Sequence, residues 1–86
     1  MKIDYHRKFV KNFNKLSQKI KSKFYEKLRM FEQNQFDPIL NDHPVEFIYP
    51  GWRSINITGD FRTLFEPRDN DLFVFMKIGT HSELYG

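Results

Sequence analysis

With 86 residues the chain has room for one marginal core and not for two, so a single domain over residues 1–86 is expected. The lack of cysteine excludes a disulfide framework and any thiolate metal site, while ten Phe and 40% hydrophobic residues argue against disorder despite 29% charged residues. The net charge of +3 conceals an asymmetry: residues 1–36 hold ten Lys/Arg against three acids, and residues 37–86 hold four against eight, so the basic half favours a polyanionic partner.

Met1 to Tyr5 alternates apolar and polar residues and reads as a short strand. From His6 to Leu16 the spacing becomes helical, with Phe9, Val10, Phe13 and Leu16 on one stripe and Arg7, Lys8, Lys11 and Lys15 pointing elsewhere. Ser17 is an N-cap candidate for a second helix in which Ile20, Phe24, Leu28 and Phe31 repeat the stripe to about Gln33. Asn34 to Pro50 contains Pro38, Pro44 and Pro50 and should be mostly loop, with a short extended piece at Val45 to Tyr49. Three strands follow, Trp52 to Ile57, Phe61 to Glu66 and Leu72 to Ile78, separated by turn signals at Thr58-Gly59-Asp60 and Pro67-Arg68-Asp69-Asn70. No apolar run approaches the length of a membrane span and the N-terminus lacks the apolar segment of a secretion signal, so a cytoplasmic protein is expected.

Register follows from asking which turn sorts the first hairpin's side chains cleanly between two faces. A three-residue turn, Thr58 to Asp60, sets Ile57 opposite Phe61 and Ile55 opposite Thr63, with Phe65 on the same apolar face. The other face carries Ser54, Asn56 and Arg62, with Asp60 at the turn. The last strand is apolar on both sides and should not lie at an edge. The fold class is therefore α+β, an N-terminal strand and a helical hairpin on one face of a small antiparallel sheet. His6, His43 and His81 share no helical or turn spacing, so no metal site is expected.

Some segments resemble a known family. These are the opening with Phe9, Lys11, Phe13 and Leu16; Leu40-Asn41-Asp42-His43-Pro44; the Arg53 strand; the Asp60-Phe61-Arg62 corner; and the ending Ile78-Gly79-Thr80-His81-Ser82-Glu83-Leu84-Tyr85. Taken in this order they are similar to the RelE superfamily of toxins, specifically its YafQ-like branch, and the terminal segment is the most specific of them. The resemblance covers nearly the whole chain. It implies a RelE-like fold and a cytoplasmic endoribonuclease of a toxin–antitoxin pair, which cuts mRNA on the ribosome without metal or cofactor and is restrained by a cognate antitoxin. Family functional positions fall on His43, Asp60, Phe61, His81 and Tyr85. The sequence departs at Asn56, where the branch commonly has a second histidine in the cleft, and at Ser54, where an acid is common.

Metal-free RNA cleavage requires a deprotonated 2′-hydroxyl, a stabilised pentacoordinate phosphate and a protonated leaving oxygen. In the implied site His81 gives the proton to the leaving group and Asp60 or His43 takes the one from the hydroxyl. Arg62 and Arg53 grip the phosphate through their fixed fork of donors, with Asn56 beside them. Phe61, Trp52 and Tyr85 stack flanking bases, and the lysine-rich helices hold ribosomal RNA. Two other readings stay open. One is a ParE-like toxin that binds a topoisomerase, against which His43 and His81 argue. The other is a catalytically degenerate binding module, for which Asn56 argues.

Overall fold

The computed structural model describes all 86 residues. Strand β1 spans Lys2–Tyr5, followed by helices α1, Arg7–Asn14, and α2, Gln18–Gln33. A single 3-10 turn at Pro38–Leu40 leads to β2, His43–Pro44. Strands β3, Arg53–Asn56, β4, Phe61–Arg68, and β5, Leu72–Thr80, then complete one sheet, and α3, His81–Tyr85, ends the chain. The strand order is β1-β5-β4-β3-β2. The outer strand β1 runs parallel to β5, so the sheet is mixed rather than antiparallel throughout. A parallel neighbour needs a crossover, and the long path through α1, α2 and the hairpins supplies it.

Helix boundaries follow local chemistry. Ser17 caps α2 by accepting from the Ile20 N–H at 3.3 Å, as its position before the apolar stripe predicts. His6 caps α1, its Nδ1 accepting from the Lys8 N–H at 3.0 Å. The stripes of both helices press on one sheet face. Phe9, Phe24 and Phe31 join Ile55, Ile57, Phe65, Phe73, Phe75 and Ile78 in one buried cluster, with Leu40 sealing it below. Rings meet mostly edge to face, Phe31 on Phe65 at 5.0 Å and Phe24 on Phe75 at 5.8 Å, and burial of each side chain contributes about 1.5–3 kcal/mol. Val10 is the exception to the predicted stripe: it is exposed, because α1 is short and Phe9 and Phe13 already fill its contact with the sheet. Burial also pushes the Tyr5 hydroxyl above its ordinary pKa, helped by Tyr25 and Glu32.

The hairpin register is as expected, with Ile55 opposite Thr63 and Asn56 opposite Arg62, and the Ile57 N–H donates to the Phe61 carbonyl at 2.9 Å. A bulge explains why β5 is apolar on both sides. Leu64 pairs with Lys77 but Phe65 pairs with Phe75, so Met76 is the extra residue and the alternation reverses there. Phe73, Phe75 and Ile78 consequently all reach the core, and Lys77 turns to the opposite face. The buried Thr63 hydroxyl donates to the Lys77 carbonyl beside the bulge at 2.8 Å.

Two turn expectations are corrected. Val45 to Tyr49 is not extended but holds a turn at Glu46–Ile48; the extended piece is His43–Pro44, which pairs with β3. Pro67 and Arg68 belong to β4 rather than to a turn. Pro67 is tolerated because β3 stops pairing at Phe65, so the missing N–H faces no strand.

Candidate active site

The loop before β2 is shaped by a left-handed residue. Asn41 sits at φ 49° and aims its carbonyl at His43 Nδ1, 2.7 Å away. A carbonyl only accepts, so Nδ1 carries the hydrogen and Nε2 is left as the proton acceptor of the neutral ring. Between them Asp42 turns inward, 1% exposed, and takes the Arg53 Nε–H at 2.5 Å. The Arg53 guanidinium lies over the Phe36 ring at 5.6 Å. His43 is paired in register with Ser54, on the face opposite the helices.

Arg62 lies on the same face of β4, half-buried, its Nη1 donating to the carbonyls of Thr58 at 2.8 Å and Phe61 at 3.1 Å. Those two bonds hold the guanidinium at the turn, and no carboxylate pairs with it, so its remaining donors are available to an anion. His81 opens α3, with its N–H donating to the Asp60 carbonyl at 3.2 Å and its ring 4.7 Å from that of Tyr85 one turn on. The segment after β2 closes the site. Tyr49 stacks on Trp52 at 4.6 Å and donates its hydroxyl hydrogen to the Leu84 carbonyl at 3.0 Å, bracing the loop against α3. Lys77 lies over the Tyr49 ring at 5.2 Å.

His43, Arg62, His81 and Tyr85 therefore line one cleft of about 640 Å³, with Ser54 at its floor. Asp60 does not line the cleft; its carbonyl accepts from the His81 N–H, and the residue stands exposed at the turn. Asn56 faces Arg62 across the strands, its side-chain oxygen buried without a donor, outside the cleft. Arg53 and Phe61 are corrections. Both alternate with Ser54 and Arg62 and so belong to the helix-covered face, where Arg53 binds Asp42 and Phe61 packs on the core. Trp52 spends its ring face on Tyr49. The three histidines do not converge, and no group of three His, Asp or Glu is close enough to hold a metal ion.

Sequence reading missed α3 and the cleft wall at Phe47 and Ile48. The signal for α3 was present: Thr80-His81-Ser82-Glu83 is a capping box. Phe47 and Ile48 carried no periodic signal, being part of a Pro-flanked turn.

No family model matches the sequence, and no curated protein matches it. Solved structures do. YafQ from Escherichia coli strain BL21(DE3) is similar at TM-score 0.79 and 26% identity, over 98% of this chain and 97% of that one. The E. coli DinJ–YafQ toxin–antitoxin complex matches at TM-score 0.76 and 26% identity, over 98% and 96%. A YoeB/ParE toxin from Agrobacterium tumefaciens shares the fold at TM-score 0.77 and 14% identity, over 94% and 99%. A mixed five-stranded sheet under a helical pair, matched end to end by these toxins, gives the chain the fold of the RelE/ParE toxins. Among these structures the likeness to YafQ carries the higher identity, 26% against 14% for the YoeB/ParE toxin.

Proposed function

We propose that this chain is the toxin of a type II toxin–antitoxin pair and acts as a ribosome-dependent endoribonuclease on mRNA, as one cytoplasmic domain. The observation that carries the reading is the convergence of His43, Arg62 and His81 on one cleft in a chain whose first half is basic. His43, its Nδ1 hydrogen tied to Asn41, takes the proton of the 2′-hydroxyl on Nε2. The oxygen attacks the adjacent phosphorus, and the charge that grows on the phosphate falls to Arg62. His81 gives its proton to the departing 5′-oxygen, leaving a 2′,3′-cyclic phosphate. The exposed Asp60 carboxylate is the weaker candidate for base, and Tyr85 steadies the His81 ring from the side. The cognate partner is an antitoxin, as DinJ is in the complex with YafQ.

The test is primer extension on cellular messages after induction. Cuts within translated codons, lost in His43→Ala and His81→Ala, are expected. Growth arrest with intact messages and inhibited DNA supercoiling would instead favour a topoisomerase-binding toxin. No arrest at all, with retained antitoxin binding, would mark a degenerate module.

A further inference from the structure

The geometry points to Phe47 as a nucleobase platform, which seats one base of a single-stranded RNA at the mouth of the cleft; this rests on the ribonuclease reading. Phe47 is fully exposed, yet it belongs to the wall that faces His43, Arg62 and His81. A bare phenyl ring in water is unfavourable, and nothing in the fold requires it there.

Its mount is rigid. The Ile48 and Tyr49 N–H groups donate to the Val45 carbonyl at 3.1 and 2.9 Å, and Val45 and Trp52 close the loop at 3.0 Å. The loop stands on the Tyr49–Trp52 stack, and Tyr49 is bonded to α3, the helix that carries His81. Ring and proton carrier are thus held in one frame, so a base on Phe47 registers its phosphate against His81 and Arg62. The occupant is argued from charge and from the other rings. Glu46, the one acid in the wall, accepts from the Gly51 N–H at 3.2 Å, whereas Arg62 has no carboxylate partner, so the cleft presents cationic donors to an anion. Tyr85 is engaged with His81, Phe61 packs against the core on the other face, and Trp52 stacks on Tyr49. Phe47 is the aromatic face left for a base, and stacking tolerates any base because each has a π-face.

Fluorescence anisotropy with an uncleavable 2′-O-methyl hexanucleotide tests this, using oligonucleotides made abasic at each position in turn. Phe47→Ala should weaken binding about tenfold, and Phe47→Trp should hold or tighten it. One abasic oligonucleotide should bind the wild type about as weakly as the intact one binds Phe47→Ala, and lose nothing further with that variant. Unchanged affinity in Phe47→Ala overturns the platform, as does a loss equal at every abasic position. So does a wild type that does not bind the hexanucleotide, or a variant impaired only in antitoxin binding, which identifies a protein-docking surface. A wild type that binds with this pattern but leaves messages uncut sinks the nuclease reading and not the platform. Equal melting temperatures of variant and wild type confirm that the surface change leaves the fold intact.

Discussion

Thr80 and Glu83 cap the last helix reciprocally: the Thr80 N–H donates to Glu83 Oε1 at 2.7 Å, and the Glu83 N–H donates to Thr80 Oγ1 at 3.2 Å. This pair converts the end of β5 into α3 within one residue and thereby points His81 at the cleft. A Cβ at Gly79 would stand 3.1 Å from Glu83 Oε1 and 3.3 Å from Glu83 Cβ, so a side chain there would press on the capping carboxylate.

The capping pair sets a pH dependence. The Thr80 N–H, and secondarily its hydroxyl, hold the Glu83 carboxyl below the ordinary glutamate value of 4.5. A lowered folded pKa means stabilisation present above that ordinary value and lost as pH falls through the folded one. Urea midpoints of wild type and Glu83→Gln should therefore differ at pH 7 and converge as the pH drops below about 4.5. Parallel curves would contradict the account. Thr80→Ala should cost about 1 kcal/mol at neutral pH.

His81→Ala should abolish toxicity while changing stability by less than about 0.5 kcal/mol, because the residue is exposed and its ring lies beside that of Tyr85 at the surface of α3. Loss of a positioned proton donor lowers cleavage by roughly 10²- to 10⁴-fold, measured on a translated message. Unchanged killing by this variant removes His81 from the mechanism.

Arg53→Ala should act through the fold. It leaves the Asp42 carboxylate buried and unpaired, which costs about 3 kcal/mol in chemical denaturation, toward the low end because Arg53 is 28% exposed. With the Asn41–His43 loop loosened, kcat should fall while KM for RNA holds, since Arg53 lies on the face away from the cleft. A rise in KM alone would return Arg53 to phosphate binding.

Neutralising Lys11, Lys15 and Lys19, which are exposed on the helical side, should weaken ribosome binding most at low salt. Each lost phosphate contact lowers the slope of log affinity against log salt by about 0.7–0.9. An unchanged slope would show that these lysines are merely solvated.

Much of the fold was legible because periodicity and turn chemistry act locally. The Ser17 cap, the two apolar stripes and the Ile55/Thr63 register follow from neighbours within a few residues. The register even contained a warning about the site. Phe61 and Arg53 alternate with Arg62 and Ser54, so strand alternation puts them on the covered face, although the resemblance assigns Phe61, and the guanidinium chemistry Arg53, to the substrate.

What the chain by itself determined is the set of chemical groups and the side of the sheet each strand residue occupies, since side-chain alternation is a property of extended backbone. Tertiary structure decided the rest: that β1 pairs in parallel with β5, that a bulge at Met76 reverses the alternation, and that His43, Arg62 and His81 share a cleft while Asp60 stays outside. Those outcomes depend on strand pairing and on a loop braced to α3 by Tyr49, 35 residues from Leu84 in sequence. Contacts of that range are set by the packing of the whole core, and no local window of residues contains them.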